Sequence, residues 1–113
     1  MTVKELREAL SLEVLAGESG MDNEIEGCYI GDLLSWVMSR AEEKNVWITV
    51  MGNVNAVAVA KLTEVSCVLL CEDSHLDDDA KRQADVNGVP ILSSGRNAFR
   101  LAVEIAPLAG TGR

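Results

Sequence analysis

The stretch Asp22-Asn-Glu-Ile-Glu-Gly-Cys-Tyr-Ile-Gly-Asp-Leu-Leu-Ser35 decides how this chain folds. Ile25–Ile30 is predicted to be a strand, and Gly27 inside it marks a bulge or a close approach of backbone. The strand leads through Gly31 to Asp32, which is predicted to cap the helix that follows. A strand that runs directly into a helix is the repeating unit of an α/β fold.

The same alternation continues along the rest of the chain. Thr2 and Glu5 have the spacing of a capping box before a first helix. Two predicted strands, Val46–Met51 and Val65–Cys71, contain no charged residue, which is typical of strands covered on both faces. The predicted elements are helix Val3–Leu10, strand Leu12–Leu15, strand Ile25–Ile30, helix Leu33–Glu43, strand Val46–Met51, helix Asn55–Leu62, strand Val65–Cys71, a helix from Asp77 to Asn87, strand Val89–Leu92, and a last helix that begins at Ser94 or Gly95 and is stopped by Pro107. The pattern predicts a three-layer α/β/α domain with a mainly parallel five-stranded sheet.

Length and composition fit one domain. The chain has 113 residues, of which 48% are apolar and only 4% aromatic, so the core is expected to be aliphatic. We expect a single domain over residues 1–106 and a flexible tail over 107–113. No apolar run approaches the roughly 18–20 residues that cross a bilayer, and the N-terminal segment lacks the features of a secretory signal. A cytoplasmic protein without a membrane anchor is therefore expected.

Charge and cysteine content exclude several classes of partner. The formal net charge is −8, from 18 acidic and 10 basic residues, which disfavours binding to nucleic acid or to anionic membranes. Cys28, Cys67 and Cys71 are odd in number and form no CxxC motif. On one strand, Cys67 and Cys71 would lie about 13 Å apart, too far for a disulfide. Free thiols in a reducing compartment are expected, with no zinc site.

Polar residues follow the predicted strands at the edge where open α/β sheets bind ligands. Asparagine and serine side chains and helix N-termini suit a small polar ligand or an anion. Each of these residues can equally serve as a helix cap or turn residue. The candidate ligand-binding residues are Gly31, Asp32, Asn53, Asn55, Ser93, Ser94 and Arg96.

Motifs for catalysis are missing. There is no GxxxxGK[ST] loop, so a P-loop kinase is excluded. A receiver domain is excluded as well, because it needs an aspartate at the end of the third strand and a lysine at the end of the fifth, where this chain has Met51-Gly-Asn53 and Ser93-Ser-Gly95. His75 is the single histidine and is interpreted as an exposed loop residue, and Asp77–Asp79 as a solvated helix start. A Cys- or Ser-dependent enzyme would have to use Cys71 or a serine with His75 as its base. No catalytic residue, metal or cofactor is predicted.

Two predicted helices are more apolar than a surface helix needs to be. Asn55–Leu62 is apolar on every side, so it must lie inside the domain or be covered by a partner. The helix Leu33–Glu43 carries Trp36 in a broad apolar set. A homodimer interface would cover both helices, whereas a helix packed between the sheet and neighbouring helices would have the same pattern. The candidate interface residues are Leu33, Trp36, Val37, Val57 and Val59.

The stretch Asp22–Ser35, with Val46–Met51 and residues 53–60, resembles a stand-alone DRTGG domain. The matching positions are Asp22, Gly27 and the run Gly31–Ser35; the departures are Asn23, Glu26 and Cys28, which stand where the family has arginine, threonine and the second glycine. The resemblance covers roughly residues 2–105. It implies an α/β/α domain similar to the N-terminal domain of HPr kinase/phosphorylase. Such domains are regulatory or of unknown function, and occur beside CBS domains in certain pyrophosphatases and in phosphotransacetylases. The "serine kinase" label that some relatives carry is rejected, since the P-loop is missing.

These observations predict a non-catalytic regulatory or interaction module. It is expected to self-associate as a homodimer and to act with a metabolic enzyme or a kinase-type partner. The alternative is a sensor domain for a small ligand such as a nucleotide or an anion. A Cys- or Ser-dependent enzyme ranks third.

Overall fold

Apolar strands and helices alternate in the computed structural model, which describes residues 1–110. In chain order the elements are α1 (Val3–Leu10), β1 (Glu13–Ala16), a short 3-10 turn (Glu18–Gly20), β2 (Cys28–Ile30), α2 (Leu34–Arg40), β3 (Val46–Thr49), α3 (Val54–Thr63), β4 (Cys67–Leu70), α4 (Asp78–Asn87), β5 (Ile91–Ser93) and α5 (Ala98–Ala109). The predicted capping box is confirmed, since Thr2 and Glu5 cap the start of α1 reciprocally.

The five strands form one sheet in the order β1-β5-β4-β3-β2. The strands β2 to β5 are parallel, and β1 pairs antiparallel with β5 at one edge. Since the parallel strands advance across the sheet in one direction through right-handed crossovers, α2, α3 and α4 share one face. The other face is covered by α1 and α5. The predicted α/β fold with a mainly parallel five-stranded sheet is confirmed.

The central strands β3 and β4 are buried along their whole length. Their side chains alternate between two apolar clusters, as the period of two in a strand requires. Trp47 and Val68 pack with α2, α3 and α4, whereas Ile48 and Leu69 pack with α1 and α5. The two clusters are the two halves of the core.

Helix α3 fills the middle of the three-helix layer. It packs against α2 on one side and α4 on the other. Its inner residues are buried; they are Ala56, Val57, Val59 and Ala60. An internal position accounts for these four residues, but the expectation that no side of the helix is exposed was wrong, since Ala58 and Leu62 lie on an exposed outer side.

The predicted start of α2 was wrong by one residue, and its predicted cap was wrong. Leu33 occupies the N-cap position in an extended conformation, and no side chain caps the helix. The helix ends at Arg40 rather than Glu43, because Ala41 is extended and the Asn45 side chain accepts a hydrogen bond from the backbone of Glu42 at 2.9 Å. A side-chain turn therefore replaces the last predicted turn of helix.

Both predicted ends of α5 were wrong. The helix begins at Ala98, where the Asn97 side chain accepts a hydrogen bond from Arg100 N at 2.9 Å. Pro107 does not stop it, since the helix continues to Ala109. Proline removes one donor from the last turn, but Gly27 N donates to Ala109 O at 3.0 Å and attaches this end to the start of β2. Of the predicted tail, residues 111–113 lie outside the described residues.

None of the helices within residues 1–110 is long and apolar enough to span a membrane.

Replacing Leu69 by alanine tests the two-faced core. Leu69 is completely buried on β4, so Leu69→Ala should lower the free energy of unfolding by about 2–5 kcal/mol through lost burial and a cavity. Leu62 is 70% exposed on α3, and Leu62→Ala should change it by less than about 0.5 kcal/mol. Urea unfolding followed by circular dichroism measures both. Equal effects of the two substitutions would contradict the described burial.

Candidate functional site

Asp32 joins the carboxyl ends of β2 and β3. Its carboxylate accepts a hydrogen bond from the Thr49 hydroxyl at 2.7 Å and another from Val50 N at 2.9 Å. Beside it, the Trp47 indole N–H donates to the Gly31 carbonyl at 2.9 Å. Charge-assisted hydrogen bonds of this kind are among the stronger ones in proteins. The carboxylate that was predicted to cap α2 therefore holds the end of β3.

The two predicted asparagines lie at the start of α3. Asn53 is its N-cap, and its side-chain oxygen accepts a hydrogen bond from Ala56 N at 2.9 Å. Asn55 is exposed on the first turn of the helix. Asn53 thus performs the capping role that its residue type favours.

The loops after β4 and β5 are locked together by their backbones. Glu72 N donates to Arg96 O at 2.9 Å, and Asp73 N donates to Ser94 O at 3.0 Å. Glu72 and Asp73 both have left-handed φ angles, of 56° and 55°. This conformation is uncommon for residues other than glycine, and the two hydrogen bonds compensate for its cost.

Gly95 allows the Asp73 carboxylate to lie against the β5 loop. A Cβ atom at position 95 would be 3.0 Å from a carboxylate oxygen of Asp73. That separation is closer than ordinary carbon–oxygen contacts, so a side chain here would displace the carboxylate. Gly95, which sequence reading treated only as a helix start, therefore affects where the exposed Asp73 carboxylate lies.

A cleft of about 410 Å³ lies between this loop pair and the start of β1. It is lined by Ser11, Glu13, Asp73, Ser93, Ser94, Gly95 and Arg96. A neighbouring cleft of about 340 Å³ shares Glu13, Asp73 and Ser93 and extends to His75 and Lys81. The predicted residues Ser93, Ser94 and Arg96 are brought together here, whereas Gly31, Asp32, Asn53 and Asn55 line neither cleft. The crossovers from β2 to β5 all advance across the sheet in one direction, so the point of reversed strand order at which open α/β sheets bind ligands does not fall between β2 and β3.

The charges of this cleft do not favour an anion. The Arg96 guanidinium lies 3.4 Å from a Glu104 carboxylate oxygen and donates to the Ser94 hydroxyl oxygen at 3.4 Å. Its positive charge is therefore already paired, and the carboxylates of Glu13 and Asp73 face the same space. Serine hydroxyls and carboxylates suit a hydroxyl-bearing or cationic group better.

A larger cavity of about 490 Å³ lies at the opposite end of the sheet, where the parallel strands begin. Two lysines and two glutamates are among its lining residues, which include Asn23, Glu24, Lys44, Lys61, Glu64, Ser66 and Asn87. Lys44 and Glu64 both have left-handed backbones, and Lys44 N donates to Glu64 O at 3.0 Å. Sequence reading missed this cavity, because nothing in residue type reveals a left-handed lysine or glutamate.

The five candidate interface residues divide into two groups. Val37, Val57 and Val59 are buried in the core, whereas Leu33 is 59% exposed and Trp36 is 51% exposed. The Arg40 guanidinium lies 3.7 Å from the centre of the Trp36 ring, a cation–π contact. We call the exposed pair Leu33 and Trp36 the α2 surface.

The match to a known protein family agrees with the α/β fold described above. A family model for the DRTGG domain matches residues 5–108. This chain belongs to the DRTGG domain family. The match covers nearly all of the described residues, so the resemblance seen in the sequence is confirmed. No curated protein shows significant similarity to this DRTGG domain.

A solved structure with the same fold is the regulatory region of a Clostridium perfringens pyrophosphatase, which contains CBS and DRTGG domains and was determined with the activator diadenosine tetraphosphate. The TM-score is 0.69 at 11% sequence identity, and the match covers 98% of this chain but 47% of that one. The present DRTGG domain therefore spans about half the length of that structure, and at this identity the likeness concerns the fold alone.

The thiols of this DRTGG domain are free, and none is activated. Cys28 and Cys67 both lie opposite Val46 on its two neighbouring strands, so they are about 9–10 Å apart and cannot form a disulfide. Burial raises the pKa of Cys28 to about 11 and raises that of Cys67 further. Burial and the neighbouring Glu72 carboxylate raise the pKa of Cys71. Within residues 1–110, no three His, Cys, Asp or Glu side chains are grouped so as to hold a metal ion.

Alkylation measures these thiols directly. Raising the pKa of Cys28 from 9.0 to about 11 lowers its thiolate fraction near pH 8 by about a hundredfold. Iodoacetamide should therefore label native Cys28 far more slowly than the urea-unfolded chain, with the rate rising through about pH 11. The same shift stabilises the fold below pH 9 and loses this effect as the pH rises through about 11. Rapid labelling of native Cys28 or Cys71 near neutral pH, followed by mass spectrometry, would contradict this assignment.

Proposed function

We propose that the protein is a non-catalytic regulatory module that self-associates and acts with a metabolic enzyme or a kinase-type partner. A cytoplasmic location is part of the proposal, since free thiols fit a reducing compartment. The observation that carries it is apolar surface left exposed on a domain whose two core clusters are already filled. Exposed apolar patches of this kind mark interaction sites.

The α2 surface is the part of the predicted interface that remains accessible to another protein. Tryptophan is enriched among the residues that dominate binding energy at protein interfaces. Arg40 lies over one face of the Trp36 ring, so a cationic group adjoins the exposed aromatic surface. We propose that this surface contacts the enzyme partner.

The non-catalytic assignment is supported by the chemistry of the possible nucleophiles. Reactive cysteines lie in electropositive surroundings that stabilise the thiolate, whereas Cys71 is buried and lies near the carboxylates of Glu72 and Asp32. His75 is exposed, and its ring nitrogen lies 3.7 Å from an Asp77 carboxylate oxygen.

Family membership supports a regulatory role. In the Clostridium perfringens pyrophosphatase, the DRTGG domain is part of a regulatory region that carries CBS domains as well. We extend the regulatory role to this chain because the family match covers residues 5–108 and the fold agrees across 98% of the chain. The proposal does not name the partner enzyme, and the pyrophosphatase is not carried over to this chain.

Self-association is tested by sedimentation equilibrium of the wild-type protein at micromolar to millimolar concentrations. The average mass should rise with concentration from that of a monomer towards that of a dimer, because apolar surface is removed from water in the complex. Addition of salt should not dissociate it, since the copies carry a like charge of −8 that salt screens. A monomer mass at every concentration would contradict self-association.

A second candidate function is the sensor for a small ligand, such as a nucleotide. The observation that favours it is the cleft of about 410 Å³ that collects Ser93, Ser94 and Arg96. The carboxylate of Asp73 in that cleft would accept hydrogen bonds from ligand hydroxyl groups, such as those of a ribose. An inorganic anion is the less favoured ligand because of the same carboxylate.

Thermal unfolding against a panel of nucleotides and small anions tests the sensor. A ligand at 100 times its Kd should stabilise the fold by about 2.7 kcal/mol and raise the Tm by several degrees. Ser94→Ala should reduce the shift, whereas Ser35→Ala, an exposed serine on α2, should leave it unchanged. A Tm that no compound raises would count against the sensor and leave the interaction module in place.

A further inference from the structure

Helix α5 is apolar on two faces. Its 12 residues include a single acidic and a single basic side chain, Glu104 and Arg100. The inner face buries Leu101 and Ile105 completely against the sheet. The outer face exposes Phe99 by 78% and Val103 by 56%. A surface helix is normally polar on the side away from the sheet.

Three exposed apolar residues of α5, Phe99, Val103 and Pro107, lie on one side of the helix beside the half-buried Ala106, whereas Leu108, 42% exposed, lies on another side. Phe99, Val103, Ala106 and Pro107 are separated by four, three and one residues, which places them on one side of a helix with 3.6 residues per turn. Val103 lies at the centre of the stripe, with Phe99 one turn before it and Pro107 one turn after it. We call these four residues the α5 stripe.

We propose that the α5 stripe binds the α5 stripe of a second copy of this chain, with the two helices antiparallel about a two-fold axis through Val103. This inference rests on the proposed self-association and names its surface. A two-fold contact must be complementary to itself, so each residue faces the one equally far from the axis on the other helix. Val103 then meets Val103 of the second copy, and Phe99 packs on Pro107 of the second copy.

The charges flanking the stripe obey the same symmetry. Arg100 and Glu104 lie on the same side of the stripe, and a two-fold axis keeps that side while reversing the chain direction. Arg100 is three residues before the axis and Glu104 is one residue after it. Arg100 of one copy therefore lies about two residues, or about 3 Å along the axis, from Glu104 of the other. Within each copy Glu104 is already paired with Arg96 at 3.4 Å and with Arg100 at 3.7 Å, so the Arg100 of the other copy adds a further positive charge beside this carboxylate on the rim, twice per dimer.

The net charge of the chain is compatible with a contact through α5. Two copies that each carry −8 repel one another, so a stable contact must be apolar or locally neutral. The α5 segment is neutral overall and apolar outside its one charge pair. A single 12-residue helix is about 18 Å long, and a helix pair of that length lies at the small end of specific interfaces. The dimer should therefore be weak and depend on concentration.

Matched valine substitutions separate this contact from others. Val86 is 80% exposed on α4, in the opposite helix layer, so it supplies a control for Val103 with the same residue type. In sedimentation equilibrium, Val103→Glu should weaken the dimer by at least about tenfold, and Val86→Glu should leave it unchanged. Thermal unfolding checks that both variants fold.

A cysteine at the axis gives a positive signal that does not depend on weakening the dimer. Because the axis passes through Val103, Val103→Cys should form a disulfide-linked dimer with oxidised glutathione, and Val86→Cys should not. Cys67 and Cys71 are buried and Cys28 is half-buried, which keeps the background from native thiols low. A dimer that persists in Val103→Glu, or a Val103→Cys variant that does not cross-link while the wild type dimerises, overturns the α5 contact and leaves self-association standing. A monomeric wild type overturns both.

Discussion

The structure depends on the burial of β3 and β4 on both faces. Every residue of these two strands is buried, so no charged side chain can occupy them without a large desolvation cost. Polar groups are therefore confined to the ends of the strands. Both the cleft beside β5 and the cavity at the opposite end of the sheet follow from that confinement. Asp32 is an example: it lies beyond the end of β2, and its carboxylate accepts hydrogen bonds from the Thr49 hydroxyl and from Val50 N at the end of β3.

Element type and order could be predicted from the sequence because they depend on short-range patterns. The uncharged strands and the Thr2–Glu5 capping box are local signals, and both were read correctly. Element ends were less predictable where a partner distant in sequence decides them. Pro107 remains inside α5, with the helix end attached by Gly27, 82 residues before Ala109 in the chain. The candidate ligand residues divided between two places because their proximity depended on strand order.

Helices α3 and α5 show why an apolar sequence alone does not identify an interface. The α3 helix buries its inner residues against the sheet, α2 and α4, while Ala58 and Leu62 on its outer side are exposed. The α5 helix has the same lack of charge, but it lies in a layer with a single neighbouring helix, and its outer side exposes Phe99 and Val103. Only the position of each helix in the layers separates the two cases. Position depends on the strand order, which no single segment of sequence reveals.

Because of the strand order, the two faces of the sheet are covered by different kinds of helices. Three successive crossovers in one direction place three helices on one face, each beside its neighbour in the chain. The opposite face receives only the helices that precede and follow the crossover series, and two helices must cover the width of five strands there. Ile30, at the outer edge of that face, remains about half exposed. One face of the sheet is therefore covered by the three crossover helices. The other face is covered only by the two helices outside the crossover series, and part of it stays exposed.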